Sequence, residues 1–286
     1  MNLKNHQEEI DRVITDALNE DLRETGDVTT GLTVPEGMKA KAVLYAKENG
    51  ILAGLPVFEL VFKTVDAEVD FTSQSKEGNG VSPGETIATI KGKASSLLIA
   101  ERTALNLLCR MSGIATLTGK YVEAIAGTDA TILDTRKTMP GLRILDKYAV
   151  AVGGGTNHRI GLYDAILIKE NHIAMGGGVA ASVKSAKEGS DLPVQVEVEN
   201  LHQLEAAINA GANSALLDNM TPLETKAAVE LAKSLDAGEF LLESSGGITL
   251  ENVREYAETG VDRISIGALT HSVKALDFSL IIKSIA

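Results

Sequence analysis

The hydrophobic and polar positions of this chain change rhythm near its middle. Residues 7 to 22 place apolar side chains at helical spacing, and that pattern stops near "DLRETGDVTT". The stretches "KAKAVLYAKENG", "AEVDFTSQS" and "ETIATIKGKA" then read as strands, parted by Gly/Pro turns such as "SPGE". About the first hundred residues therefore form an α+β unit. A long helix follows, from Ser95 to about Lys120. Beyond it, short apolar runs recur as "ATILDT", "AILIKE", "VQVEVE", "SALLDN", "FLLESS" and "DRISIG". Between most of them lie helical stretches such as "LHQLEAAINAG", "PLETKAAVELAKSL" and "TLENVREYAETG". This βαβα alternation predicts a parallel sheet, and its uninterrupted repetition favours a barrel over an open sheet. Six strands are two short of the usual eight, so either two escape the pattern or the barrel is incomplete.

Composition narrows the classes. The 286 residues suffice for a large α/β barrel or two modest domains, and 44% hydrophobic content supports a sizeable core. No apolar stretch is long enough to span a bilayer. The polar start "MNLKNHQEEIDRVI" has no apolar signal region, so a cytoplasmic location is expected. A single cysteine, Cys109, excludes an internal disulfide and fits a reducing compartment. The net charge of −12 argues against nucleic-acid or anionic-membrane partners, and 3% aromatics without Trp leaves few stacking platforms. The charge is uneven, however. Residues 100 to 172 carry nine Lys/Arg against seven Asp/Glu, a net of +2, which leaves −14 on the remainder. A basic island in an acidic chain points to a focused site for a small anion.

Barrel active sites lie at the carboxyl ends of the strands. Here "ILDT" runs into Arg136 and Lys137, "AILI" ends on Lys169, and "VQVEVE" ends on Glu199. "SALL" ends on Asp218, "FLLE" on Ser244, Ser245, Gly246 and Gly247, and "ISI" on Gly267. Any one of these alone reads as surface solvation or an ion pair; all of them on one rim read as a site, because charges are rarely gathered and buried without a partner. The loops "SSGGIT" and "IGALTH" follow the last two strands, where barrels commonly bind phosphate through backbone N–H groups.

Two other glycine clusters need separate readings. "GGGTNHRIGL" lacks the Lys of a P-loop, and Gly153 and Gly155 are followed by His158 where a dinucleotide fingerprint needs a third small residue. Its glycines let the backbone pass close to something while His158 and Arg159 point at it. "GGGVAA", from Gly176 to Ala181, fits G-x-G-x-x-A but begins seven residues beyond Lys169, so it reads as a loop and helix start. In "LLIAERTALNLLC", Arg102 shares a helical face with Leu98, Leu105 and Cys109. Such an Arg either snorkels to the edge of the stripe or meets an anion across an interface. Cys109 reads as a packed small hydrophobe.

Together "LDTRKTMPGLRILDKYAV", "GGGTNHRIGLYDAILIKENH", "VEVEN", "LLDNM", "ESSGGI" and "IGALTHS" closely resemble the quinolinate phosphoribosyltransferase family, and "GDVTT" and "ERTALNLLCRMSGIAT" extend the match. The resemblance implies an α/β chain: an N-terminal α/β sandwich domain, residues 1–113, that includes part of the long helix, and an incomplete TIM-like α/β barrel, residues 114–286. A C-terminal helix is expected to pack back on the first domain. It further implies a homodimer or larger symmetric oligomer, such as a hexamer, that joins quinolinate to phosphoribosyl pyrophosphate with Mg²⁺. Arg102 from a partner copy, Thr135, Arg136, His158, Arg159 and Lys169 would surround quinolinate. Lys137, Lys169, Glu199, Asp218, Ser245, Gly246, Gly247, Gly267, Ala268 and His271 would bind phosphoribosyl pyrophosphate. Lys137, Glu199 and Asp218 would be catalytic, the last two also serving the metal directly or through water. The chain departs from the family pattern at Ala151, before the three glycines, where a basic residue is common, and at Glu170, where Asp is. Rival readings fit less well. A monocarboxylate substrate would leave cations unpaired, and a non-catalytic anion binder would have no use for Glu199 and Asp218. An NAD-dependent oxidoreductase would rest on "GGGVAA" alone.

Overall fold

The computed structural model describes residues 1–284. In chain order the elements are α1 (Gln7–Leu22), α2 (Val28–Thr33), β1 (Lys39–Ala46), β2 (Gly50–Ile51), α3 (Leu55–Val65), β3 (Asp70–Ser73), β4 (Gly80–Val81) and β5 (Thr86–Lys93). Next come α4 (Ala94–Ala124), β6 (Thr131–Leu133), α5 (Arg143–Val152), β7 (Ile166–Ile168), α6 (Glu170–Met175), α7 (Val179–Gly189), β8 (Val194–Val198) and α8 (Leu201–Asn209). The chain closes with β9 (Ser214–Asp218), α9 (Pro222–Ser234), β10 (Leu241–Ser245), α10 (Val253–Ala257), β11 (Arg263–Ser265), α11 (Ala268–His271) and β12 (Phe278–Ser284). They group into two compact units. One holds residues 1–119, 138–154 and 270 onward; the other holds 120–137 and 155–269. The boundary expected at 113/114 falls inside α4, which runs from the first unit into the second.

The first unit contains an antiparallel sheet in the order β12-β1-β5-β3. Strand β1 buries Ala40, Ala42, Leu44 and Ala46 on one face and keeps Lys39 and Lys41 in solvent, the period-two pattern of a half-buried strand. Helix α3 buries Leu55, Val57, Phe58, Val61 and Phe62, with the Phe58 and Phe62 rings 5.1 Å apart. The C-terminal helix expected from the sequence is instead a strand. Phe278 and Leu280 are buried and Ile281 is exposed, so the segment alternates, and β12 pairs antiparallel along β1 from Ala40↔Ser284 to Ala46↔Phe278.

The first glycine of "GGGTNHR" serves packing. Gly153 closes α5, and a Cβ there would lie 2.5 Å from the Ala115 carbonyl oxygen and 2.7 Å from Thr118 Cβ. What the backbone passes so closely is therefore helix α4, which only a residue without a side chain allows.

The second unit contains the six expected strands in one parallel sheet, ordered β6-β11-β10-β9-β8-β7. Strands β6 and β7 are its two ends and do not pair with each other, so the barrel is incomplete. Beside β6, Thr156 makes a single parallel bridge to Leu133. Strands β8 and β9 are almost wholly buried, as parallel strands covered on both faces are. Caps fix where strands give way to helices. Asn200 accepts from the Gln203 N–H at the start of α8, and Thr221 and Glu224 form a reciprocal capping box before Pro222 at the start of α9. The segment "GGGVAA" is a loop and helix start, with Gly176 closing α6 and Gly178 preceding α7. Among the described residues no helix is long and apolar enough to cross a membrane.

Candidate active site

The carboxyl ends of the strands carry most of the predicted residues, while His158 and Arg159 lie in the segment before β7 and Arg102 on α4; the structure sorts them by what holds them. Asp134, directly after β6, is fully buried. Its carboxylate accepts from Asn157 Nδ2 at 2.7 Å and from the His158 backbone N–H at 2.8 Å, which pins the "TNHR" segment beside β6. Thr135 accepts from the Lys137 N–H at 3.0 Å, turning the chain so that Lys137 is exposed.

Arg136 is half-buried, and its Nε is buried without a hydrogen-bond partner. Arg159, also half-buried, donates through one terminal nitrogen to the Ala165 carbonyl at 3.0 Å. Burial lowers the Arg159 pKa, and the nearby charge of Arg136 lowers it further, against an opposing pull from Asp164. Asp164 already accepts from the backbone N–H groups of Ile160 and Gly161, at 2.7 and 2.9 Å. Two cations held close enough to oppose each other, one with an unsatisfied buried donor, are a receptor for an anion.

Strand β8 supplies a residue that reading strand ends missed. Glu197 is half-buried and meets Lys169 Nζ at 2.5 Å. Glu199, the expected carboxylate, lies past the strand end and is exposed, with its backbone N–H bound to Gln203. Gln195 and Glu197 are two positions apart and share one face of the strand. That face looks inward, because Gln195 meets the His158 ring and the buried Glu243. The alternation of "VQVEV" contained this signal.

Asp218 ends β9 half-buried and accepts from Asn219 Nδ2 at 2.8 Å. The Asn219 N–H donates to the Ser245 carbonyl at 2.9 Å and ties the β9 and β10 loops together. Gly246 and Gly247 both have positive φ, 94° and 62°, and among the described residues neither backbone N–H has a partner. Gly267 and Ala268 are half-buried beyond β11, and exposed His271 contacts Ser272 at 2.6 Å. Arg102 lies on the first unit, exposed and without a hydrogen-bond or ion-pair partner among the described residues. Leu105 of the same stripe is buried, and Cys109 is half-buried with its thiol pKa raised by burial. Also in the first unit, Arg110 makes a bidentate pair with the fully buried Asp146. Asp146 also accepts the Met139 N–H.

An incomplete parallel barrel whose rim gathers cations, two inward carboxylates and a glycine loop defines an enzyme that handles anionic and phosphorylated substrates. Comparison with known proteins makes this specific. Residues 27–112 match the model of the quinolinate phosphoribosyl transferase N-terminal domain, and residues 114–281 match that of its C-terminal domain. The chain belongs to the quinolinate phosphoribosyltransferase family. It is 46% identical over 267 residues to a carboxylating nicotinate-nucleotide pyrophosphorylase of Mycobacterium leprae (strain TN), covering 92% of this chain and 94% of that one. A decarboxylating quinolinate phosphoribosyltransferase of Nicotiana tabacum is 45% identical, covering 94% of this chain and 81% of its own. The solved structure of NadC from Streptococcus pyogenes superposes with a TM-score of 0.92 at 40% identity, covering 100% of this chain and 99% of that one.

Proposed function

We propose that this chain transfers phosphoribosyl from phosphoribosyl pyrophosphate to quinolinate with loss of CO2, giving nicotinate mononucleotide and pyrophosphate for NAD synthesis. The observation that carries the reading is the Arg136–Arg159 cation pair with its unsatisfied buried Nε, matched to a substrate bearing two adjacent carboxylates. Family membership over most of the chain supports the same reaction.

In this reading Thr135, Arg136, Arg159 and Lys169 face quinolinate, and His158 supports them from behind. Lys137 and Lys169 face the transferred group. The carboxylates of Glu197 and Asp218, with Glu199 further out, face the ribose. Ser245, Gly246, Gly247, Gly267, Ala268 and His271 take the 5′-phosphate. The ring nitrogen of quinolinate attacks the anomeric carbon as the bond to pyrophosphate breaks. Positive character on the ribose grows in that step and is stabilised by the inward carboxylates. The ribosylated ring then carries a positive nitrogen. It draws in the electron pair left when the neighbouring carboxylate departs as CO2, and a proton takes the vacated carbon. The chain's contribution is orientation and placement of charge.

The family implies Mg²⁺. Among the described residues no three His, Cys, Asp or Glu side chains gather as a metal cage. One or two rim carboxylates, Asp218 and Glu199, fit an ion that takes its remaining ligands from substrate phosphates and water. When bound, it neutralises charge on the leaving pyrophosphate. Exposed, unpartnered Arg102 fits a homodimer, or a larger symmetric assembly, in which it completes a partner copy's site. The free cysteine fits action in the cytoplasm.

Purified protein incubated with quinolinate, phosphoribosyl pyrophosphate and Mg²⁺ should yield nicotinate mononucleotide by mass and release CO2 in equal amount. No product under these conditions, from protein shown to be folded, would defeat the reading.

A further inference from the structure

His158 is half-buried among groups whose donor and acceptor roles are fixed. Its Nδ1 lies 2.8 Å from the Arg159 backbone N–H, which can only donate. Nδ1 must therefore accept, and the proton of the ring sits on Nε2. That nitrogen lies 3.0 Å from Gln195 Oε1 and 3.4 Å from Glu243 Oε2. Gln195 in turn presents its Nε2 to Glu243 Oε2 at 2.9 Å. An ionised carboxylate accepts and cannot donate, so Glu243 compels the Gln195 amide to face it with its NH2. The amide carbonyl is then left for the His158 N–H, and Nδ1 is left for Arg159. The Arg159 N–H at one end and the Glu243 carboxylate at the other therefore specify the same tautomer. A protonated His158 would break the order by setting an Nδ1–H against the Arg159 N–H.

We infer that Glu243 is a positioning residue that fixes the Gln195 amide, through it the His158 tautomer, and through the ring the Arg159 backbone beneath the cationic rim. Both ring nitrogens are thereby used inside the protein, so His158 supports the substrate site rather than contacting quinolinate through nitrogen. Glu243 is fully buried on β10, and its Oε2 reaches the site through the Gln195 amide at 2.9 Å and the His158 ring at 3.4 Å. The link from Arg159 to substrate rests on the function proposed above; the tautomer does not.

The test uses the full chain labelled with ¹⁵N at histidine. In the wild type the His158 ring should show a protonated Nε2 and an unprotonated Nδ1. Glu243→Gln removes the direction of the relay, because the substituted amide can offer either its oxygen or its nitrogen to Gln195. The His158 ring signals should shift or split, and the Kd for quinolinate alone, measured by calorimetry, should rise by up to about tenfold. In the double variant Gln195→Glu/Glu243→Gln a carboxylate takes the place of the amide carbonyl facing Nε2, and the amide lies behind it. The wild-type tautomer and most of the affinity should return even if overall stability does not. A wild-type ring protonated on Nδ1, or a Glu243→Gln variant with unchanged ring signals, would overturn the inference. So would failure of the double swap to restore the tautomer. Correct ring signals in a protein that binds no quinolinate would instead sink the proposed function and leave the relay standing.

Discussion

Lys169 meets Glu197 at 2.5 Å across the paired strands β7 and β8. A cation expected at the site is thus held by a carboxylate that the strand turns inward, while Glu199 two residues later is exposed. Glu197→Gln should lower turnover by roughly a hundredfold, the scale of losing one preorganised electrostatic group. Glu199→Gln should cost about tenfold at most, as expected of a group acting through water at the rim. Steady-state kinetics on both variants decide this, and a larger loss from Glu199→Gln would return the role to the outer carboxylate.

Arg110 and Asp146 form a bidentate pair, both contacts at 2.8 Å, and Arg110 also donates to the Thr270 carbonyl. With Met139 N–H on the same carboxylate, the pair anchors the segment that follows Lys137 in the chain. Asp146→Asn would leave Arg110 without its counter-charge and should destabilise the protein by about 3 kcal/mol. Urea unfolding measures this directly; a loss below about 0.5 kcal/mol would show that the pair is no anchor.

The glycine loop after β10 leaves no room for a side chain at Gly246. Gly246 has φ +94°, and a Cβ there would lie 2.6 Å from Asn219 Cγ and 3.0 Å from its backbone N, pressed also on Oδ1. Gly246→Ala should therefore push Asn219 and the loop apart and raise the KM for phosphoribosyl pyrophosphate, with a stability cost of about 1–3 kcal/mol. Quinolinate binding measured alone should change little. Loss of both affinities together would mean the loop does not serve the phosphate alone.

Much of this arrangement was legible in the sequence. The six parallel strands announced themselves as short apolar runs, because strands buried on both faces need no polar alternation. Helix α3 did not, since "LPVFELVFKTV" is short and its few polar positions, Glu59, Lys63 and Thr64, interrupt an apolar run that a buried strand would also show. Strand β12 was missed because an edge strand with one exposed Ile carries only a short alternation, and its partner β1 lies at the other end of the chain. The rim cations were visible from position alone. That Glu197 turns inward while Glu199 is exposed was not, because strand ends are uncertain by a residue or two while side-chain direction alternates with every residue. The partners of His158 were out of reach as well: Gln195 is 37 residues away, and only sheet register brings it to the ring.

Acid should weaken the wild type in a way that reports on Glu243. Burial pushes this carboxyl up, but hydrogen bonds from the His158 ring and Gln195 outweigh burial and hold it below its ordinary 4.5. A lowered carboxylate contributes stability above its unfolded pKa and loses it as pH falls through the folded value. The stability advantage of wild type over Glu243→Gln should thus be constant from pH 7 to about 5 and shrink below about 4.5. Urea midpoints across that range test this; an advantage that grew as pH fell from 7 to about 4.5 would mean Glu243 is not ionised in the fold, and one that stayed constant to pH 3 would mean that its pKa is not lowered there.

Arg102 is exposed on helix α4, yet Leu105, one turn on, is buried, and no group among the described residues pairs with the guanidinium. If it completes the site of a second copy, Arg102→Ala should abolish turnover while leaving the fold and the urea midpoint intact. Lys137→Ala should abolish it from within the copy that binds substrate. Each variant alone would then be inactive for a different reason. Mixed under conditions where subunits exchange, they should recover activity, because one of the two sites in a hybrid dimer has both Arg102 and Lys137 intact. With random exchange at equal concentrations, half the dimers are hybrids with one working site each, so recovery should approach about a quarter of wild-type activity. Exchange shown by mass, with no recovery, would confine each site to one copy and leave Arg102 a surface residue.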